Sequence, residues 1–171
     1  MNKTIMTVGL IALVASSAAY AASPIQQQDP SAAGQSLYHS GFYAGGQGGV
    51  IFGYGGADGA LMGNLGYQFN EHFAIESSVT IPMATLDMVS FTTLDAKLIM
   101  PVNNGPVAFY VKAGPALSNV DFFGYDLHQW NISGGAGMDY ALNRHVTLEA
   151  GYQNVGGKLN FVTGGVAYHF G

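Results

Sequence analysis

Six charged side chains stand where they could form a buried ion network inside a β-structure. Each lies on the polar face of a segment in which apolar and polar residues alternate. A carboxylate or ammonium group removed from water must be paired, so acids and lysines on such faces predict salt bridges. The same groups could instead serve as the selectivity element of a narrow pore. The six residues are Glu76, Asp95, Lys97, Lys112, Asp139 and Glu149.

One turn sets the expected pairing between two of these segments. The stretch "PVNNG" has the composition of a tight turn, and we take Pro101 to face Pro106 across it. Antiparallel pairing then fixes which residues of the two flanking strands are neighbours. This register predicts two facing pairs: Asp95 with Lys112, and Lys97 with Tyr110.

Other residue types that could do chemistry form weaker patterns. The five histidines show neither HxH nor HxxxH spacing, so the sequence predicts no metal site. His128 with Ser133 or Ser90 is the best candidate for a His–Ser catalytic pair, but nothing in the sequence orients it. Asp121 and Asp126 could bind a cation, although two acids solvating an exposed loop are the simpler interpretation. A structural role is therefore favoured over catalysis, and no cofactor is predicted.

Eight strands are predicted to position these residues. In "VTLEAGYQ", for example, apolar residues alternate with polar or small ones, which gives a strand one apolar and one polar face. No interval shows a sustained helical period, and no second domain is indicated. The predicted strands span about 42–51, 59–69, 73–81, 89–100, 107–118, 128–140, 146–154 and 159–170.

Two classes of protein satisfy this alternation. A soluble exported barrel would turn the apolar faces inward and could bind a small apolar ligand, whereas a membrane barrel turns them toward lipid. Three features favour the membrane class. The polar faces carry mainly small residues, the segments are about 9–13 residues long, and aromatic residues lie toward strand ends. Only 9% of the residues are charged, which is low for a chain surrounded by water.

The N-terminal region has the layout of a secretory leader. Lys3 precedes an apolar run and the small-residue pattern Ala19-Tyr20-Ala21, which predicts a signal peptide over 1–21. Residues 22–40 are predicted to be a flexible periplasmic segment, and residues 41–171 form the barrel. With 10 acidic and 5 basic residues the chain is acidic, which argues against binding nucleic acid. It has no cysteine, so disulfides do not stabilise it.

Four stretches carry a resemblance to a known family: "GFYAGGQGG", "GALMGNLGYQFNEHFAIESS", "GGAGMDYALNRHVTLEAGYQ" and the closing "GGVAYHF". Over residues 41–171 the chain resembles the small eight-stranded outer-membrane barrels of Gram-negative bacteria, the OmpA-type membrane domain and its OmpX-like relatives. The resemblance implies an all-β fold, an eight-stranded antiparallel up-and-down transmembrane β-barrel surrounded by outer-membrane lipid. Short Asn-rich turns at 70–72, 101–105 and 142–144 would face the periplasm. Loops at 53–57, 82–87, 119–126 and 154–158 would face outside.

The resemblance also implies that the barrel assembly machinery reads the last strand as an address. The residues that match this pattern are Thr163, Gly165, Tyr168 and Phe170, although Gly171 follows the aromatic that usually ends the chain. Pairing of this strand with an open strand edge would be β-augmentation. Leu159 and Phe161 lie on the face opposite to Tyr168 and Phe170. One set therefore points inward, unless a bulge at Gly164-Gly165 turns both toward lipid.

These observations predict an integral outer-membrane protein with a packed polar lumen and a structural or surface-interaction role. Enzymatic activity is not expected. Two alternatives remain open: the soluble exported barrel with a small apolar ligand, and a lipid-modifying barrel enzyme. Its expected partners are outer-membrane lipid and the assembly machinery, and no external partner is indicated by the sequence.

Overall fold

The computed structural model describes residues 38–53, 56–83, 89–103, 105–122 and 125–170. The predicted leader and nearly all of the predicted flexible segment lie outside these residues, as do the side chains of Asp121, Asp126 and His128. Within the described part of the chain, no helix is long and apolar enough to span a membrane.

Eight antiparallel strands form a closed barrel in which each strand pairs with the next and β1 pairs with β8. This confirms the predicted fold class. The bounds agree with the prediction to within a few residues, except that β5 and β6 continue into the stretch 119–126, which was expected to be a loop. The strands are β1 (Gly41–Gly53), β2 (Gly56–Asn70), β3 (Phe73–Pro82), β4 (Val89–Pro101), β5 (Val107–Phe122), β6 (Tyr125–Ala141), β7 (Val146–Val155) and β8 (Leu159–Phe170).

The apolar faces of the strands point outward. On β7, Leu148 is 41% exposed whereas its neighbour Thr147 is 4% exposed. This is the reverse of a soluble barrel, in which the apolar face forms the core, and it agrees with strands that face lipid. Outward apolar side chains occur on all eight strands, among them Phe42, Leu65, Ile75, Leu94, Leu98, Phe109, Ile132, Leu148, Val162 and Phe170.

Asparagine side chains organise three of the turns. The Oδ1 atoms of Asn70 and Asn143 each accept a hydrogen bond from the amide two residues further along, at 2.8 and 2.7 Å. The Oδ1 atom of Asn154 accepts from the amide three residues further along, that of Gly157, at 2.9 Å. Gly156 and Gly157 have φ values of 63° and 70°, a left-handed conformation that glycine adopts without strain. These turns keep consecutive strands adjacent and antiparallel.

The register between β4 and β5 differs from the prediction by two residues. Pro101 pairs with Ala108 instead of facing Pro106, and Lys97 faces Lys112. The turn is centred one residue later than expected, because Val102 donates its amide hydrogen to the carbonyl of Val107 at 2.8 Å. A shift of one residue in the centre of a turn moves every facing pair by two.

β8 pairs without interruption with β1 and with β7, so the bulge considered at Gly164-Gly165 does not form. Phe161 therefore points inward and is 2% exposed, while Tyr168 and Phe170 lie on the outward face. Without a bulge, one of the two sets was expected to point inward, and this is confirmed: the set of Leu159 and Phe161 faces the lumen and the set of Tyr168 and Phe170 does not.

Two inward tyrosines lie over glycines of neighbouring strands. A Cβ atom on Gly66 would collide with the ring of Tyr43, its direct partner across β1 and β2. The hydroxyl end of Tyr110 likewise occupies the space that a side chain on Gly137 or Gly151 would need. We call these the ring-over-glycine contacts. They let two large rings lie flat against the wall of a narrow lumen.

Candidate functional site

The interior of the barrel holds all six charged residues that the sequence singled out. Each is at most 7% exposed, and together they contribute four carboxyl groups and two ammonium groups. They come from five different strands and project into the same lumen because inward positions alternate along every strand. The six are Glu76, Asp95, Lys97, Lys112, Asp139 and Glu149.

Lys97 of β4 occupies the centre of one part of this network. Its Nζ atom lies 2.9 Å from Oδ2 of Asp139 and 3.1 Å from Oε1 of Glu149. The ammonium group also lies 4.1 Å from the ring centroid of Tyr110, a cation–π distance. A buried lysine of this kind is tolerated because charged partners replace its water. These contacts connect β4 to β6, β7 and β5 through the lumen.

Lys112 pairs with Glu76, not with Asp95 as the predicted register required. Its Nζ atom lies 2.8 Å from Oε1 of Glu76. The other oxygen, Oε2, accepts hydrogen bonds from the hydroxyl of Tyr43 at 3.0 Å and the amide of Asn64 at 3.2 Å. The prediction of an Asp95–Lys112 pair is therefore wrong, because the shifted register places the two lysines opposite each other and Lys112 reaches across to β3.

Amide side chains join the two ion pairs into one network. Asn64 donates to Glu149 as well as to Glu76, and Gln47 donates to Oε2 of Glu149 at 2.7 Å. Glu149 thus accepts from two amides and one lysine. Charge-assisted hydrogen bonds of this kind are stronger than those between neutral groups, so the network links strands β1 to β7 across the lumen.

The carboxylate of Asp95 is bound separately, by neutral donors instead of a lysine. Its carboxylate accepts hydrogen bonds from the hydroxyl of Thr93 at 2.8 Å, from the amide of Gln153 at 3.0 Å and from the hydroxyl of Ser133. Three donors satisfy this buried carboxylate without a cation.

Ser133 was one member of the candidate His–Ser pair, and its surroundings argue against that role. The side chain is fully buried, and the single hydrogen of its hydroxyl is shared between Asp95 and the carbonyl of Gly114. A nucleophile needs a neighbouring base and access to substrate, and Ser133 is held as a donor in a packed interior. The side chain of His128 lies outside the described residues.

Two apolar clusters close the lumen above and below the charged layer. We call the end where β1 begins and β8 ends the terminal end, and the opposite one the distal end. The distal cluster contains Ile51, Ala60, Phe91, Ala116, Val155 and Phe161, with Leu159 packed against it. The terminal cluster contains Tyr38, Tyr43, Ala74, Ile99, Ala108, Tyr110, Ala141 and Ala167.

The four residues of the predicted assembly signal divide between the two faces of β8. Tyr168 and Phe170 point outward and make an edge-to-face contact, with ring centroids 5.1 Å apart. Thr163 points inward, where its hydroxyl donates to Oε1 of Gln47 at 2.6 Å. A side chain on Gly165 would collide with the backbone of Gly46 and Gln47 in β1. Both inward residues thus contact the strand that closes the barrel.

The neutral members of the network were missed by sequence reasoning. Six of them contact the charged residues: Tyr43, Gln47, Asn64, Thr93, Ser133 and Gln153. They share the strand face of the inward charges, which is the signal that could have found them. Among the described residues, no group of acids and histidines could hold a metal ion.

Comparison with known proteins gives one family match. The model of the family described as "Outer membrane protein beta-barrel domain" matches residues 8–170. The comparison with curated proteins found no significant match.

Several solved structures share the fold. The N-terminal β-barrel domain of Pseudomonas aeruginosa OprF has a TM-score of 0.62 and 17% identity, covering 77% of this chain and 100% of that one. Neisserial surface protein A, NspA, has a TM-score of 0.52 and 22% identity over 77% of this chain and 97% of that one. A chain from a study of de novo designed transmembrane β-barrels has a TM-score of 0.54 and 16% identity, covering 75% and 95%. At these identities the likeness establishes the fold alone.

Proposed function

Because the chain belongs to the outer-membrane β-barrel domain family, we propose that it is an integral outer-membrane protein that acts through its outer surface and its rims. Its role is structural or one of surface interaction, and it is not an enzyme. The leader over 1–21 directs export and is removed, and the terminal end faces the periplasm. The external partner is not specified by these residues.

The observation that carries this proposal is the filled lumen. A layer of buried ion pairs, centred on Lys97 and Lys112, lies between two apolar clusters. The interior of an eight-stranded barrel is just wide enough for side chains or one small ligand to fill. A solute would have to break several buried salt bridges to cross. The lumen therefore serves stability, and interaction is left to the outside.

The outer surface supports residence in a bilayer. Trp130 and Ile132 are 72% and 78% exposed, and many other large apolar side chains are exposed on every strand. Soluble monomers rarely expose a continuous apolar surface of this extent. Aromatic residues follow one another around the terminal end, as interfacial girdles do: Phe42 contacts Tyr67, and Tyr67 contacts Phe69, with centroids 4.8 and 4.9 Å apart.

A conductance measurement tests the closed lumen. Purified protein is refolded into lipid vesicles, and the folded fraction is measured from the gel shift between unheated and heated samples. We expect no channel openings above the bare-lipid baseline when these vesicles are fused to a planar bilayer. Openings whose frequency rises with the amount of folded protein would contradict the proposal.

The proposal includes recognition of the last strand by the assembly machinery. Its support is the pair of outward aromatics at alternate positions, Tyr168 and Phe170. We expect Phe170→Ala to lower the amount of protein in the outer membrane and to leave leader-free protein in the periplasm. Val162→Ala is the matched control, because Val162 is outward on the same strand and, like Phe170, 50% exposed. Equal membrane levels for both variants would contradict the assembly role.

A further inference from the structure

The residue that closes the terminal end comes from outside the strands. Tyr38 precedes β1, yet its side chain is 4% exposed and belongs to the terminal cluster. It falls in the segment that the sequence predicted to be flexible. A tyrosine in a flexible tail would be solvated, so its burial indicates a specific docking position.

The hydroxyl of Tyr38 is anchored on the far wall of the barrel. Its single hydrogen is shared between two acceptors, the carbonyl of Pro106 at 2.8 Å and the carbonyl of Asp139 at 3.1 Å. Pro106 immediately precedes β5, and Asp139 lies in β6. In a closed barrel of eight strands, β5 is the strand farthest from β1. Residues 38–40 and the Tyr38 side chain together therefore reach from β1 toward the opposite side of the mouth.

Tyr38 lies directly against the charged network. One of its acceptors is the backbone of Asp139, whose carboxylate holds Lys97. Burial, together with the nearby Asp139 carboxylate, raises the pKa of the Tyr38 phenol, so the hydroxyl keeps its proton and remains a donor. The hydroxyl of Tyr38 is thus hydrogen-bonded to the same residue that pairs with Lys97, at the terminal side of the charged layer.

We propose that residues 38–40 form a built-in plug for the terminal end and that the side chain of Tyr38 is the group that covers the lumen there. The other seven members of the terminal cluster lie on the strands, and Tyr38 is the member that precedes β1. The plug makes the network inaccessible to solutes from the side that we assign to the periplasm. This inference goes beyond the proposed function, and the distal cluster would keep the barrel closed to conduction even without Tyr38.

Site-directed thiol labelling tests the plug, since the chain has no cysteine of its own. Ala108→Cys reports on the terminal cluster and Ala116→Cys on the distal cluster, and both alanines are fully buried. Each reporter is placed in the full chain with Tyr38 and with Tyr38→Ala. Folded barrels in detergent are then exposed to a small cationic methanethiosulfonate, and the rate of labelling is followed by mass spectrometry.

We expect both reporters to react slowly while Tyr38 is present. Tyr38→Ala should speed the labelling of Ala108→Cys by at least about tenfold, because protection from solvent falls when the group covering a site is removed. Ala116→Cys should stay slow. Equal rates at Ala108→Cys with and without Tyr38 would overturn the plug, and so would a parallel increase at Ala116→Cys, which would indicate loosening of the whole barrel.

Two milder variants keep the test decisive if Tyr38→Ala does not fold. Tyr38→Phe keeps the ring and loses both hydrogen bonds, whereas Tyr38→Leu loses the ring as well. Labelling of Ala108→Cys should be fastest with Leu, intermediate with Phe and slowest with Tyr. The same rate for all three would overturn the plug. Conductance measured on the same samples should stay at baseline, which separates this inference from the proposal of a closed lumen.

Discussion

The two faces of the same strands make opposite demands on their side chains. In the lumen each of the six charged residues has particular partners: Lys112 has Glu76, Lys97 has Asp139 and Glu149, and Asp95 has three neutral donors. On the outer surface the large side chains, such as Leu148 and Val162, have lipid as their main neighbour. The inner face therefore constrains identity and volume, whereas the outer face constrains only polarity.

This difference assigns the two faces separate roles. A fluid solvent accepts side chains of many shapes, but a close-packed interior does not. Specific structure is concentrated inside the barrel, where network residues from different strands meet. The outer face can change in sequence, as long as it stays apolar, without disturbing the ion pairs. Substitutions on neighbouring residues of one strand can test this separation directly.

The largest effect is expected from breaking an ion pair in the lumen. Lys112→Met leaves the Glu76 carboxylate, 2% exposed, without its cation. We expect a loss of about 3–5 kcal/mol in the free energy of unfolding, because an unpaired charge remains buried. Urea titration of the refolded barrel in lipid vesicles measures this loss, with the single tryptophan, Trp130, as the fluorescent probe.

Two further variants separate the pair from the charge. Adding Glu76→Gln to Lys112→Met should recover part of the loss, because the amide oxygen can still accept from Tyr43 and Asn64. Lys158→Met, in the exposed turn before β8, removes the same charge and should change stability by less than about 0.5 kcal/mol. Strictly additive effects of the two lumen substitutions would argue against the pair.

A phenylalanine placed on either face of β7 gives the next largest difference. Thr147 is buried and its hydroxyl lies 3.3 Å from Nε2 of His169, so Thr147→Phe should cost about 1–3 kcal/mol by overpacking the lumen. Leu148→Phe places the same ring on the lipid side and should fold normally. The fraction that shifts on unheated gels reports folding of each variant. The opposite ranking would reverse the orientation of the strands.

The smallest change in side-chain size is made where β8 closes on β1. A methyl group at Gly165 would collide with the backbone of Gly46 and Gln47, which cannot rotate away as a side chain can, so Gly165→Ala should cost about 1–3 kcal/mol. Gly164→Ala is the matched control, because a Cβ there has its nearest neighbour, the carbonyl of Glu149, 3.7 Å away. Both variants are refolded without the assembly machinery. Urea titration therefore measures how well β8 pairs with β1, and not how well the machinery recognises β8. Equal stabilities would contradict the tight contact.

Most of the fold could be predicted because one period governs all eight strands. The alternation in "VTLEAGYQ" identified both the strand and its outward face, and the observed exposure of Leu148 agrees. The extension of β5 and β6 into 119–126 could not be predicted, since Asn, Asp and Gly in that stretch are typical of turns. Turn composition describes only the local conformational preference of the chain. Pairing between β5 and β6 extended both strands in spite of that preference.

The charged members of the network could be predicted, but their partners could not. Register relates a residue only to the adjacent strands, whereas Lys112 of β5 reaches Glu76 of β3, and Lys97 of β4 reaches Glu149 of β7. Such contacts depend on how the closed barrel staggers its strands, and no short stretch of sequence encodes that. The neutral donors lie on the same strand faces, but an uncharged polar residue does not require a buried partner as strongly as a charged one, so the sequence did not single them out.

The ring-over-glycine contacts favour the native register between neighbouring strands over registers shifted by two residues. Sliding one strand by two residues keeps every side chain on its own face, so the apolar pattern alone cannot reject the error. For Tyr43, such a slip would replace Gly66 with Asn64 or Gln68 beneath the ring, and for Tyr110 it would replace Gly151 with Glu149 or Gln153. Only the native alignment leaves room for the rings. A barrel with these contacts can discriminate against misaligned strands that lipid itself would accept.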